Sequence, residues 1–235
     1  MIGTFKPRFD ILPPAQQRIW PNLKPAVDLG FVLYGGTAIA LRLGHRPSID
    51  FDFFTERPLD RGALRDAFGF LAQAAVLQDE RQTLSVLVPD GDAVHSHVKL
   101  SFFGTIGFGR VGLPDWTEDR VLQVASFEDL MATKVKVVLQ RAEAKDYRDI
   151  AAMLKAGISL PNGLAAAREI FGPNFQPSES LKAMAYFADG DLHTLTHNEK
   201  SALVTAASAV RALPKVEILS RQLSIPFISR ATDQC

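Results

Sequence analysis

The sequence predicts an α+β protein: a mixed β-sheet with flanking helices over residues 1–125, followed by an all-helical region over residues 126–235. Three observations predict it. Short β-rich or strictly alternating stretches recur between residues 31 and 103, among them "FVLY", "SIDFDFF", "TLSVLVP" and "HVKLSFF". Short helical patterns separate several of these stretches. After Ser126 the apolar period becomes three and four, and strand signals stop. Strands mixed with helices and then helices alone imply α+β architecture.

Taken in order, "PPAQQRIWPNLKPAVDLG" predicts one or two short helices, interrupted by Pro21 and Pro25 and ended by Gly30. "FVLY" is a short buried strand. Gly35-Gly36 predicts a tight turn, and "TAIALRLG" a short helix with Thr37 as N-cap and Gly44 as its stop. "SIDFDFF" is a strand with Ile49, Phe51 and Phe53 packing beneath. "DRGALRDAFGFLAQ" is a helix. "AAVLQ", "TLSVLVP" and "HVKLSFF" are strands, and "RVLQVAS" adds one more. "FFGTIGFGR" is glycine-rich with no helix after it, so it predicts a mobile loop. Ser126 with Asp129 resembles a capping box ahead of "SFEDLMATKVKVVLQR". "KDYRDIAAMLKAG", "NGLAAAREIFG", "SESLKAMAYFA" and "NEKSALVTAASAVRAL" are further helices.

Composition narrows the function classes. With 235 residues and 47% apolar content, the chain can bury a sizeable core as one large domain or a main domain with an appendage. The 26 Lys and Arg balance 26 Asp and Glu, so attraction to nucleic acid or a membrane surface needs a local patch. The single cysteine, Cys235, rules out an intrachain disulfide framework, argues against a cysteine metal site and suits a reducing compartment. "MIGTFKPRFDILPP" lacks the long apolar core of a secretory signal. No uncharged apolar run approaches the ~20 residues that span a bilayer. A cytoplasmic protein with no membrane contact is expected.

Asp50 and Asp52 carry the chemistry. Residues two apart in a strand share a face, with α-carbons roughly 6.5 Å apart. Two carboxylates held this close repel unless a cation joins them, and a hard divalent ion with oxygen ligands is the usual partner. An isolated D-x-D on a strand more often lies on a solvated face. Here Gly35-Gly36 lies a short helix upstream, where bare backbone N–H groups can hold phosphate. Phosphate cradle and carboxylate pair together point to nucleotide transfer, in which paired metal ions are a common device.

This arrangement, from Tyr34-Gly35-Gly36 to Asp50-Phe51-Asp52-Phe53, resembles the signature of the polymerase-β-like nucleotidyltransferase superfamily. "GGTAIALRLGHRPSIDFDFF" followed by "ATKVKVVLQR" and "KDYRDI" is similar to the AbiEii/AbiGii-type toxin nucleotidyltransferases, over about residues 31–155. The resemblance implies a nucleotidyltransferase fold, with Gly35, Gly36 and Thr37 on the phosphates of an NTP. It implies Asp50 and Asp52 on Mg2+ (or Mn2+). His45, Arg46 and Ser48 fill the segment before the aspartates, with Arg46 and Ser48 counted toward nucleotide binding. Lys134 matches the lysine of the later helical motif, and Asp146 and Asp149 its acidic element. It also implies an RNA (tRNA-like) or protein hydroxyl as acceptor, and a cognate antitoxin. Many members of the superfamily place a third carboxylate on a later strand. In "HVKLSFF", His97, Lys99 and Ser101 share one face, and Ser101 stands at that place. A serine is no general base unaided. Either Asp149 or Asp146 substitutes for it, or transfer activity is lost.

Helical spacing bears on the same residues. Phe127, Met131, Lys134, Val138 and Arg141 recur at intervals of three and four, which puts two cations on an apolar stripe and leaves Lys136 on the opposite, solvated side. Asp146, Asp149, Ile150 and Met153 form a matching stripe. Lys134 or Arg141 can pair with those acids as a staple between helices, or face a cleft and neutralise triphosphate. Lys134 and Asp149 are assigned catalytic roles; Arg141, Asp146, Lys99, Ser101 and His45 are assigned supporting ones. Arg46 either clamps phosphate or pairs with an acid. His95 and His97 lack a third ligand and are strand-face residues. Arg42, Arg46, Lys99, Arg110, Lys134 and Arg141 are candidates for a local basic surface. Two alternatives remain: a nucleotide-binding protein without transfer activity, and a helical interaction module.

Overall fold

The computed structural model describes residues 3–90 and 97–226; His95 and Cys235 lie outside the described residues. Among these, strands Thr4–Phe5 (β1), Val32–Tyr34 (β2), Asp50–Phe54 (β3), Ala75–Glu80 (β4), Thr83–Pro89 (β5), His97–Phe103 (β6), Asp115–Thr117 (β7) and Gln123–Val124 (β8) form one sheet. Its order is β1-β7-β8-β2-β3-β6-β5-β4. The centre is mixed: β2 runs antiparallel to β3, β3 parallel to β6, and β6 antiparallel to β5. The expected strands fall where the alternation placed them. β1 and β7 have two and three residues, too few for a period of two to show.

The helices are Pro14–Ile19 (α1), Pro25–Asp28 (α2), Gly35–Leu43 (α3), Arg61–Ala67 (α4), Phe127–Val137 (α5), Ala144–Lys155 (α6), Leu160–Phe171 (α7), Pro177–Ala183 (α8) and His197–Ala209 (α9). Alternation along β3 and β6 sorts the sheet into two faces. Phe51, Phe53, Leu100 and Phe102 are fully buried on one. Phe53 stacks on Phe102 at 5.4 Å, Trp20 meets Phe51 at 6.1 Å and Phe68 meets Phe102 at 5.5 Å. Each such ring contributes roughly 2–3 kcal/mol by burial. The other face carries Asp50, Asp52, Lys99 and Ser101. Ile49 departs from the expected pattern: it precedes β3 and is 60% exposed, so it does not pack beneath the aspartates.

Three local expectations are corrected. α3 begins at Gly35, so Thr37 is not its N-cap. Gly35 has φ +75°, a left-handed conformation that turns strand into helix without an intervening cap. Thr37 Oγ instead meets Ser48 Oγ at 2.7 Å and donates to the Asp50 carbonyl. At α5, Ser126 Oγ accepts from Asp129 N–H at 3.1 Å, which is half a capping box. The Asp129 carboxylate does not return to the Ser126 N–H; it accepts from the Ser126 hydroxyl at 2.7 Å and from the backbone N–H groups of Val111 (2.8 Å) and Gly112 (3.2 Å). That pairing fixes one end of the loop expected to be mobile. Gly104 N–H donates to Gln82 O at 2.9 Å, and Ile106 N–H to Thr55 O at 3.0 Å, at its other end.

α9 opens with a capping box between Thr196 and Glu199 and stops at Ala209, short of the expected Leu213. Residues 210–226 then run as a strap back to the sheet domain. Arg110 and Ser220 form an antiparallel bridge. Arg110 Nε donates to Gln222 O at 2.9 Å, Leu223 N–H donates to the Glu56 carboxylate at 3.0 Å, and the Gln123 amide brackets the Ile225 backbone. Leu223 is buried in the core cluster.

Candidate active site

Strand register builds the floor of the site. Asp50 pairs with Lys99 and Asp52 with Ser101 across β3–β6; Ser101 pairs with Ser85 on β5, and Ser85 with Gln78 on β4. Lys99 Nζ lies 4.0 Å from the Asp50 carboxylate. Ser85 Oγ donates to Ser101 Oγ at 3.2 Å, so the position opposite Asp52 is a neutral hydroxyl pair. Burial raises the Asp52 carboxyl above its ordinary value and Asp50 adds to this, while Lys99, Lys134 and Arg141 pull in the opposite direction. These residues line a cleft of about 670 Å³ between the sheet and the α5–α6 corner. Asp50 and Asp52 are the two carboxylates among the described residues that line it.

The glycine pair forms one wall, at the N-terminus of α3. A Cβ on Gly35 would stand 2.5 Å from Asp52 Oδ2. A Cβ on Gly36 would collide with Arg46 and come within 3.2 Å of Asp149 Oδ2. Both positions exclude a side chain because the charged groups of the site press against the backbone. That leaves the peptide groups of the helix start exposed to the cleft, at the positive end of the α3 dipole.

Behind this wall lies a buried charge cluster. Lys134 Nζ reaches Asp146 at 2.6 Å and Asp149 at 2.7 Å, and all three side chains are nearly inaccessible. Arg46 binds Asp149 through two nitrogens, at 2.7 and 2.9 Å, and His45 Nε2 lies 2.7 Å from the same carboxylate. Arg141 Nε binds Asp146 at 2.8 Å. Burial alone would raise the Asp149 carboxyl; Lys134 and the hydrogen bonds from His45 and Arg46 overcome it and hold the group well below the usual range. Asp146 is lowered in the same way, against burial, by Lys134 and Arg141. Paired cations and acids satisfy one another here, as buried charges must.

Gly35, Gly36, Thr37, Arg46, Ser48, Asp50, Asp52, Lys99, Ser101, Lys134 and Arg141 thus come together around one cleft. His45, Asp146 and Asp149 stand behind it. Two details of the helical stripe differ. α5 ends at Val137, so Arg141 lies in the following turn with its side chain 45% exposed. Lys136 is not a free surface lysine: it donates to Asn174 O and sits 6.0 Å from the Phe171 ring. Two cations proposed for a basic surface are structural. Arg42 is held by Asp115 at 2.7 Å between the Phe5 and Phe127 rings, and Arg110 is held by the strap. His97 is exposed at the start of β6.

Sequence reasoning missed Thr133 and Lys145, and Ser85, Gln78, Phe54 and Phe103 on the floor. Ser85 was findable, since alternation along "TLSVLVP" puts it opposite the buried Leu84 and Val86. Lys145 had no signal beyond its place in the first turn of α6. Two hard carboxylate oxygen donors on one strand face, one of them raised in pKa by burial and then by its neighbour, fit a divalent cation. No group of three or more His, Cys, Asp or Glu able to hold a metal occurs among the described residues. No helix among them is long and apolar enough to cross a membrane.

Comparison with known proteins agrees with this geometry. A family model described as the nucleotidyl transferase AbiEii toxin of type IV toxin–antitoxin systems matches residues 22–200. An uncharacterized protein of Aquifex aeolicus, aq_aa25, is 32% identical over 174 residues, covering 71% of this chain and 80% of the relative. The chain resembles a crystal structure from H. pylori assigned as a nucleotidyltransferase, with TM-score 0.56 and 19% identity over 83% of this chain and 92% of that one. It also resembles the nucleotidyltransferase toxin MenT4 of Mycobacterium tuberculosis, with TM-score 0.54 and 13% identity over 82% of each chain. These two likenesses speak for the fold alone.

Proposed function

Since the chain belongs to the AbiEii family of nucleotidyl transferase toxins, we propose that it moves a nucleoside monophosphate from an NTP to a hydroxyl of RNA or protein, and that a cognate antitoxin opposes it. The observation that carries the reading is the carboxylate pair Asp50 and Asp52 beside the backbone of Gly35-Gly36 in one cation-lined cleft. An acceptor oxygen bonds to the α-phosphorus, the bond from that phosphorus to the α–β bridging oxygen breaks, and pyrophosphate leaves with the electron pair. The hydroxyl proton is released to water in the open cleft.

Each residue has a part. Asp50 and Asp52 would hold Mg2+ or Mn2+, which would supply neutralisation of the negative charge of the triphosphate. The N–H groups of Gly35 and Gly36 orient the phosphates, and the buried Thr37 and Ser48 hydroxyls, spent on Asp50 O and on each other, hold the start of α3 against β3. Lys99, Lys134 and Arg141 offset their charge. Arg46 and His45 act through Asp149, which is enclosed by three cationic or hydrogen-bonding side chains and so positions α6 against Gly36. In this reading Asp149 is a positioning residue and neither a metal ligand nor a base. One observation favours a second reading, nucleotide binding without transfer: the place opposite Asp52 holds Ser101 and not an acid.

The test is incubation of the full chain with Mg2+ and each α-labelled NTP, over total RNA and over the protein itself, beside an Asp50→Ala, Asp52→Ala double variant. Label in one acceptor class, absent with the variant, is expected. NTP binding by the wild type with no label anywhere overturns transfer in favour of the second reading.

A further inference from the structure

Phe54 and Phe103 stand on the cleft floor without a part in metal or phosphate binding. They pair across β3–β6 one row beyond Asp52 and Ser101. Both are partly exposed and line the cleft. Their rings meet edge to face at 5.1 Å, and Phe54 is fixed from below by Tyr34, stacked at 4.9 Å and 13°. Phe54 is the one ring partner of Phe103 among the described residues. The two form a rigid apolar step in a floor that is otherwise polar, flanked by Ser101, Ser85 and Gln78. Partly exposed aromatic rings beside polar groups suit a planar base, which stacks on a ring and offers its edge for hydrogen bonds.

The direction along the strands says which base. Gly35 and Gly36 continue β2 toward the Asp50 end of β3, where Lys99 and Ser48 also lie. The phosphates that leave therefore belong at that end. In phosphoryl transfer the attacking and leaving oxygens lie roughly in line on opposite sides of the phosphorus. The attacking side is then the Phe54–Phe103 end. We infer that Phe54 and Phe103 form a stacking step for the terminal base of a nucleic-acid acceptor, and so select such an acceptor over a protein hydroxyl. The inference rests on the transfer reading above and deepens it.

The probe is a short single-stranded RNA with 2-aminopurine as its 3′-terminal base, with a twin carrying 2-aminopurine at the 5′ end. N-methylanthraniloyl NTPs report donor binding and an intact site. Phe103→Leu is the variant, because Phe54 is locked in the aromatic cluster, and Phe103→Trp is its rescue. The wild type is expected to quench the 3′ probe and not the 5′ twin. Phe103→Leu should weaken RNA binding about tenfold, the scale of one lost stack, with donor affinity within twofold, and Phe103→Trp should restore the quench. Loss of donor affinity in place of RNA affinity would assign the ring to the donor base and overturn the inference. Equal RNA binding by Phe103→Leu, or label entering protein with no RNA bound, would also overturn it while leaving transfer intact. A wild type that neither binds the NTP analogues nor transfers label would sink both.

Discussion

Replacing Asp52 by Asn should stabilise the empty protein and abolish its stabilisation by ligand. Asp50 and Asp52 share a face with α-carbons roughly 6.5 Å apart, so at an effective dielectric of about 20 they repel by about 2.5 kcal/mol. The Asp50 side chain is 35% exposed and has Lys99 at 4.0 Å, which screens much of this. A net gain of about 1 kcal/mol is left for the neutral isostere, or about 2–4 °C in Tm for a chain of this size. The sign agrees with the titration. The folded Asp52 carboxyl is raised by burial and by Asp50, so its ionised form costs stability at neutral pH, and the cost is relieved as pH falls through the folded value. With Mg2+ and NTP at a hundred times Kd, the wild type gains about 2.7 kcal/mol by mass action and the variant gains nothing. Melting both proteins in EDTA and again with Mg2+ and NTP should therefore reverse their order. The same order in both conditions would refute the assignment of Asp52 as the strained, ligand-relieved carboxylate.

Gly36→Ala places a methyl group against Arg46 and Asp149; the Arg46 tip has to give up part of its bond to Asp149 to make room, so urea unfolding should show lower stability and NTP affinity measured by fluorescence titration should fall at least about tenfold as the wall shifts. Asp149→Asn leaves one acceptor oxygen and turns an NH2 group toward donors that had met the other, and should cost about 3 kcal/mol in urea unfolding. Its pH signature is specific. The folded Asp149 carboxyl lies well below its unfolded value, so its contribution is present above the unfolded value of about 3.9 and is lost as pH falls toward the folded one. Below pH 4 the wild type should lose stability faster than the variant, by up to about 1.4 kcal/mol per pH unit; parallel slopes would show that Asp149 is not the ion-paired centre of the cluster.

Much of the site was legible because it rests on short-range geometry. A period of two puts Asp50 with Asp52 and Lys99 with Ser101 whatever the rest of the chain does, and the parallel register then sets Ser101 opposite Asp52. The stripe Asp146, Asp149, Ile150, Met153 is fully buried, as its spacing implied. What was not legible depends on distant partners. Thr37 looks like a cap until Gly35 turns left-handed and starts the helix earlier. Arg46 looks as ready for phosphate as for an acid until α6 brings Asp149 to it from 103 positions away. The glycine-rich loop looks free until Asp129 and Ser220 bind it.

The strap has a consequence for the timing of maturation. Every other described element precedes residues 210–226 in the chain, and domains tend to fold from the N-terminus during synthesis. A chain halted at Ala209 contains all nine described α-helices and all eight strands, yet the Arg110 guanidinium keeps only its bond to Gly112 O and lacks Gln222 O, and the core lacks Leu223. The loop that strap binds carries Phe108, which leans on Tyr34 and Phe54 at 6.4 and 6.2 Å. The floor of the cleft therefore receives this brace only after every other described element has been made. Until residues 210–226 have been made and docked, the loop under the cleft is held by Asp129 and its sheet-side bonds alone.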